Sequence, residues 1–473
     1  MKQILLCVLG LVVLLPSVAF AQAERYELGR RLKLLEHEWE AHPAADARKR
    51  AIADLPKVTK QFFSFQFGEA GRTLDTARFA LLAKEAPAPD RLFMESIFFS
   101  PNARLVDAKT EKLTLLFQQF YKPESALPEQ LQVELQWPNE KPFAVKIVKF
   151  PMKVEVSLPK PMGDATDIPL SLIVRAGKHE TKHSVLISRI ANIEARIAKL
   201  KAIAKETQAP TIESATLNDR ADLLTQLLNG QALETDYPAA KLLLEAEAIA
   251  KAGLNKNYFT SEKPGQFWFS VPNGKTEQTA CRIFVPKNLD TKKPVPVVFA
   301  LHGAGGSENL FFEGYGAGQI VKECEKRGWL LVATRSPLGF GFGSGPPVLN
   351  IVEVLKERYP IDTKNILLVG HSMGAGHVIS SLNMFPNRFA AAAMLGGGGS
   401  VRKAEAFEKL PIFVGVGSED FALSAAKTLK KALTDAQANL TYREYAGIEH
   451  MVIVREALPD VFAMFDTLMK PKK

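Results

Sequence analysis

Cysteine is scarce in this 473-residue chain: there are three, and Cys7 sits inside the apolar run that opens the sequence. So few cysteines exclude a disulfide-built scaffold. No C-x-x-C pair and no metal-spaced Cys/His cluster is present, which excludes a zinc-finger type of site. For Cys281 in TACRIFVP and Cys324 in IVKECEKRG, a single disulfide and two buried thiols both stay open. His179 and His183 stand four apart in RAGKHETKHS, but no third ligand is evident, so we expect a solvated loop and no bound metal. Neither sign of charge dominates: 60 Lys and Arg face 51 Asp and Glu, a net of +9. The basic residues alternate with acidic ones, as in EARIAKLKAIAKE, which is the pattern of a solvated helical face. Interleaved aromatic and basic residues are lacking, and we expect no nucleic-acid partner.

Long apolar runs are also lacking, with one exception. Lys2 precedes the run Ile4 to Leu15, followed by Pro16 and the small-residue ending Ala19-Phe20-Ala21. This is the layout of a secretory signal peptide over residues 1–21, cut after Ala21. The run is short for a membrane span, so we expect a secreted or periplasmic protein with no span after cleavage.

Hydrophobic residues make up 47% of the chain, enough for a globular protein of two or three domains. Residues 22–122 read as a helical region, with apolar residues at helical spacing in ERYELGRRLKLLEHEWEAH, DTARFALLAKEA and ARLVDAKTEKLTLLFQQFY. Residues 123–190 read as a small β-rich region built from LQVELQWP, FAVKIVKFP, MKVEVSLP and PLSLIVRAG. Residues 191–256 read as a helical connector. From 257 to 473, apolar strand candidates alternate with helices: VPVVFALHG, WLLVATRSP, NILLVGHS, FAAAAMLGG, PIFVGVGSED and LTYREYAG. Among the intervening helices we expect EGYGAGQIVKECEKRG and SVRKAEAFEKL. Such alternation predicts an α/β fold with a mostly parallel sheet covered on both faces.

Within this unit, GHSMG holds Ser372 at a strand-to-helix junction. Gly370 and Gly374 permit the tight backbone approach that such a turn demands. A serine hydroxyl needs a base, and the base needs an orienting carboxylate. Asp420, with Glu419 as the alternative, follows PIFVGVG, and His450 follows the last strand. The order serine, acid, histidine is that of an α/β-hydrolase. Upstream, His302-Gly303-Ala304-Gly305-Gly306 ends another strand, and its backbone N–H groups suit an oxyanion. Met373 N–H, with Ala304 or Gly305 N–H, makes the expected oxyanion hole. His302, His371 and His377 read as supporting residues.

Residues 265 to 470 resemble the α/β-hydrolase superfamily, in its extracellular esterase type. RIFVPKNLDTKKPVPVVFALHGAGGSEN and YPIDTKNILLVGHSMGAGHV are similar to the opening and nucleophile regions of polyhydroxybutyrate depolymerase-like, feruloyl-esterase-like and acetyl-esterase-like domains. By position, the resemblance implies Ser372 as nucleophile, Asp420 as acid, His450 as base and HGAGG as oxyanion loop. It implies hydrolytic acyl transfer on an ester without a cofactor, and leaves polymeric and carbohydrate-linked esters open. AGIEHM departs from many relatives in placing Glu449 beside the histidine.

Two aromatic clusters follow strand ends, where ligand crevices form in open α/β sheets. Phe312 in ENLFFEG, and Phe340 and Phe342 in PLGFGFGSG, are the candidate pocket residues. The competing readings are a prolyl-oligopeptidase-like serine peptidase, which requires a propeller of repeated four-stranded blades, and a non-catalytic cell-envelope binding protein.

Overall fold

A computed structural model describes residues 15–207, 209–274, 277–336 and 347–469. The described residues open with five helices: α1 (Leu15–Ala41), α2 (Ala45–Ile52), α3 (Pro56–Phe63), α4 (Phe67–Leu82) and α5 (Pro89–Ser96). Eight strands follow: β1 (Ile97–Pro101), β2 (Leu105–Asp107), β3 (Lys112–Gln119), β4 (Gln132–Gln136), β5 (Phe143–Ala144), β6 (Met152–Ser157), β7 (Ala165–Ala176) and β8 (His179–Ile190). They form a three-stranded sheet, β1-β3-β6, and a five-stranded sheet, β2-β8-β7-β4-β5. Phe99, Leu115 and Phe117 from the first and Leu135, Leu172 and Val174 from the second share one buried core. These sheets are not the four-stranded blades that the peptidase reading requires.

The helical reading of residues 103–121 is corrected here, because this stretch forms β2 and β3. In KLTLLFQQ, Leu113, Leu115 and Phe117 are buried and their neighbours are not, a period of two. Leu116 is apolar but faces outward, and it gave the stretch a misleading helical spacing. The sequence RAGKHETKHS, expected as a loop, is the hairpin joining β7 to β8. His183 lies on β8 with its ring stacked 6.4 Å from Phe99, and burial drives its pKa down to about 3.

Three helices, α6 (Ile193–Ala204), α7 (Ile212–Leu228) and α8 (Ala239–Ala252), lead to the C-terminal sheet. Its strands are β9 (Gly265–Asn273), β10 (Glu277–Val285), β11 (Val295–Leu301), β12 (Leu330–Thr334), β13 (Ile361–His371), β14 (Ala391–Leu395), β15 (Pro411–Gly417) and β16 (Asn439–Tyr445). The order is β16-β15-β14-β13-β11-β12-β10-β9; β10 pairs antiparallel with both β9 and β12, and all other neighbours are parallel. The predicted α/β architecture, preceded by a mixed helical and β region, is therefore present. The crossover helices are α9 (Gln319–Arg327), α10 (Val348–Leu355), α11 (Met373–Met384) and α12 (Leu423–Asp435), and α13 (Ile453–Met469) follows the last strand.

Two expected helices are shortened. SVRKAEAFEKL contains only a single turn, Ala404–Ala406, because Asn383 Oδ1 accepts from Arg402 and Lys403 N–H and holds that backbone in a loop. The helix expected from Glu313 starts only at Gln319, after Gly316, Ala317 and Gly318 in left-handed conformation.

Alternate residues of the central strands point to opposite faces. Phe299, Val332, Leu368 and Val414 meet α7, α8, α10, α11 and α12 in one core. Val298, Leu331, Leu367 and Phe413 meet α9, α13 and the N-terminal helices α1 to α4 in the other. Cys281 belongs to the first core and Cys324 to the second, and both are free thiols. Among the described residues no helix is long and apolar enough to cross a membrane.

Candidate active site

Ser372 occupies the single residue between β13 and α11, with φ 54° and ψ −117°. A non-glycine residue in this region is strained and persists only where its surroundings fix it. Ser372 N–H donates to Leu395 O at 2.9 Å. The flanking glycines make the turn possible. A methyl group on Gly370 would lie 2.3 Å from Gly374 O, and one on Gly374 would lie 2.0 Å from Leu301 O.

β15 and β16 bring the partners to the same end of the sheet. His450 Nδ1–H donates to Asp420 Oδ1 at 2.9 Å, and both residues are buried. Asp420 Oδ1 also accepts from Ala422 N–H at 2.8 Å, fixing the carboxylate at the entry to α12. With Nδ1 committed to the carboxylate, Nε2 keeps its lone pair for a proton. Glu419 instead accepts from the Ser418 hydroxyl at 3.2 Å. Glu449 is buried and accepts from Met451 N–H at 2.7 Å. Its burial raises the carboxyl to a pKa of about 7.

Three further histidines lie around Ser372 and His450. His371 Nε2–H donates to His450 O at 3.0 Å, and burial keeps this ring neutral by holding its pKa well below the usual value. His302 Nε2 accepts from Ser336 N–H at 3.1 Å and its Nδ1–H donates to Gly303 O at 2.7 Å. Burial lowers its pKa to about 4, consistent with that neutral tautomer. His377 is buried within α11.

The glycine-rich loop is ordered by its carbonyls. Gly303 O accepts from both His302 and Gly306 N–H. In a trans peptide the N–H points opposite to the carbonyl, so Ala304 N–H is aimed away from His302. Ala304 and Gly305 line one cavity with Ser372 and His450. Met373 opens α11 immediately after Ser372, where its N–H has no intrahelical acceptor.

Residues that the sequence did not reveal complete the site. Arg25, on α1, donates from Nε to Gly305 O at 2.7 Å and from Nη2 to Gly306 O at 3.0 Å. Its guanidinium also pairs with buried Glu234 at 3.2 Å, and Glu234 accepts from the Ser307 hydroxyl. Tyr315 Oη accepts from Gly303 N–H at 3.2 Å, with its ring edge-on to His371 at 4.6 Å. Phe62 of α3 touches the oxyanion loop: a methyl on Gly305, whose φ is +79°, would lie 3.0 Å from its ring. The phenylalanine-dense stretch QFFSFQF (residues 61–67) was the one local signal for this wall.

The expected pocket residues fare differently. Phe312 is corrected: it is buried in the second core under the Arg282 guanidinium, 4.6 Å from its ring, because the turns after the oxyanion loop fold it inward. Phe340 and Phe342 lie outside the described residues. Among the described residues no group of three or more His, Cys, Asp and Glu is arranged to hold a metal.

Residues 347–460, which carry Ser372, Asp420 and His450, match the model of the dienelactone hydrolase family. A bifunctional acetylxylan esterase/xylanase of Neocallimastix patriciarum is 28% identical over 164 residues, 33% of this chain and 24% of that protein. A probable acetylxylan esterase A of Neosartorya fischeri is 28% identical over 142 residues, 27% of this chain and 36% of that protein. The chain thus spans about a quarter to a third of the length of these relatives. Among solved structures, a thermostable esterase matches with 16% identity and a TM-score of 0.39, over 78% of this chain and 99% of that one. A ferulic acid esterase of Anaeromyces mucronatus matches with 18% identity and a TM-score of 0.36, over 45% of this chain and 94% of that one. The C-terminal half has a mostly parallel α/β sheet, and its sequence is similar to the dienelactone hydrolase family over residues 347–460 and distantly to esterases.

Proposed function

We propose that the protein is a serine carboxylic-ester hydrolase, secreted or periplasmic, that works through an acyl-enzyme. The observation that carries this reading is the Asp420–His450 pair at 2.9 Å, opening onto the same cavity as strained Ser372 and the Ala304–Gly305 loop. His450 Nε2 takes the Ser372 proton as Oγ attacks the ester carbonyl carbon. The negative oxygen is held by Met373 and Ala304 N–H groups, which cost no reorganisation because the fold has already set them. Asp420 keeps His450 in the Nδ1–H tautomer and stabilises the imidazolium. The bond from carbon to the alcohol oxygen breaks, and the alcohol leaves with the proton from His450. Water then gives its proton to His450, attacks the acyl-enzyme, and releases the acid and Ser372 Oγ–H. The signal-like segment supports export, and the acetylxylan esterase relatives support a carbohydrate-linked ester as the natural substrate class.

A panel of nitrophenyl esters, acetylated and feruloylated sugars and peptides, run on the purified protein, tests this. We expect ester turnover, reduced in Ser372→Ala by a factor on the order of 10⁶. Asp420→Asn, which upsets the tautomer, should cost about 10⁴ in kcat while Glu419→Gln costs little. Peptide cleavage without ester cleavage refutes the assignment, and full activity of Ser372→Ala refutes the nucleophile.

A further inference from the structure

The cavity at Ser372 is walled on one side by the hydrolase domain and on the other by the N-terminal helices. Leu28 and Leu32 come from α1, Val58 and Phe62 from α3, and Ala70 and Leu74 from α4. The cavity measures about 110 Å³. A dry, enclosed apolar cavity of roughly 150 Å³ is what a benzene ring occupies; this one is smaller than that and half-open. Among the described residues that line it the one cation, Arg25, is already satisfied, bound to two carbonyls and to Glu234. An acyl group entering here therefore needs no charge of its own and gains from being apolar.

Another neighbour of the base lies at the protein surface. Phe421 packs 4.5 Å from the His450 ring and is 58% exposed. His450 must hand its proton to the departing alcohol, so the alcohol sits on the histidine side, toward the surface where Phe421 lies. The carbonyl substituent that stays on Ser372 is left with the closed side, against Gly305 and Phe62.

Resting on the serine-esterase reading above, we propose that the N-terminal helices are the acyl-specificity wall of the enzyme, and that they select esters of small uncharged acyl groups of two to four carbons on bulky alcohols. Phe62 sets the depth of the slot. Its ring is held by Phe63 and Phe67 at 5.4 and 5.8 Å and packs on Gly305, so an acyl chain longer than the slot meets a fixed surface.

The test is a series of nitrophenyl esters from acetate to octanoate, plus benzoate, read as kcat/KM ratios on the full chain. A second series holds the acetyl group constant and enlarges the alcohol. Wild type should favour acetate to butyrate over octanoate and benzoate by about 100-fold or more. Phe62→Ala should raise the octanoate-to-acetate ratio at least tenfold, and Val58→Phe should lower the butyrate-to-acetate ratio. The alcohol-series ratios should stay within about twofold in both variants. Ratios are independent of how much of each variant folds. A wild-type optimum at octanoate or benzoate, unmoved acyl ratios in both variants, or a shift in alcohol preference instead would overturn the acyl wall. Absence of any ester turnover, with Ser372 unlabelled by a fluorophosphonate, would overturn the esterase reading itself and the wall with it.

Discussion

Glu449 stands next to His450 in sequence and is fully enclosed, with backbone N–H groups of Met451 and His450 partly offsetting its burial. Desolvation raises its pKa from 4.5 to about 7, with the nearby Asp420 carboxylate adding to the rise and His450 opposing it. A raised folded-state value means that the protonated form is the one the fold favours. Its contribution is complete below the unfolded value of 4.5 and is lost as the pH rises through about 7. The difference of about 2.5 pKa units corresponds to something on the order of 3 kcal/mol. Glu449→Gln keeps the acceptor for Met451 N–H and removes the ionisation. We expect the urea-unfolding midpoints of wild type and variant to lie close together at pH 5 and to separate at pH 8, with the variant the more stable. Parallel pH profiles would show that Glu449 does not carry this burden.

Arg25 ties α1 to the glycine-rich loop beside Ser372. Its fork spans Gly305 O and Gly306 O, so the peptide planes of the oxyanion loop are fixed from an element about 280 residues away in sequence. The helix itself is anchored to α4 and α5 by a buried charge network: Arg31 pairs with Glu27 and Asp75, and Arg78 pairs with Glu95. Breaking such pairs one-sidedly is costly, since it strands a buried charge. Arg25→Met should lower kcat about tenfold to a hundredfold with KM little changed, because a loop displaced by about 1 Å weakens only transition-state contacts. Active-site titration with a fluorophosphonate separates this from simple unfolding: the titratable fraction should stay near that of wild type. The sequence revealed the six parallel strands and the Ser372, Asp420 and His450 positions because each rests on a local pattern, an apolar run or a residue just past it. β3 escaped because outward-facing Leu116 blurred its alternation. The Arg25 and Phe62 contacts escaped because pairings across hundreds of residues leave no periodicity to read. The place of Phe312 escaped because its strand-end position suits the crevice, whereas the turns that follow carry it under Arg282.

At the scale of the molecule, the sheet that carries Ser372 has no face of its own. One side is covered partly by α7 and α8, through Leu224, Leu243 and Ile249. The other is covered partly by α1, α4 and the turn that enters α3, through Leu35, Trp39, Leu55 and Leu74, each essentially sealed from solvent. Polar ties run the same way: Trp39 Nε1–H and Arg48 both reach Glu456 on α13 at 2.9 Å, and Lys33 reaches Glu313 at 2.8 Å. Burying a large apolar side chain is worth roughly 1.5–3 kcal/mol. The seven named residues together represent on the order of 10–20 kcal/mol, as much as the whole net stability of a typical protein, roughly 5–15 kcal/mol. A fragment of residues 257–473 retains the triad and the full sheet, yet exposes both of these faces. We therefore expect it to aggregate or to bind a hydrophobic dye, without a cooperative melt, while the chain from residue 22 onward melts cooperatively. Adding residues 22–256 as a separate polypeptide during refolding should restore part of the melt and part of the ester hydrolysis together, since the same helices complete the core and the cavity wall. A soluble fragment that melts cooperatively and hydrolyses short esters at the full-length rate would mean that the N-terminal half is a separable attachment, and that neither the sheet nor the oxyanion loop depends on it.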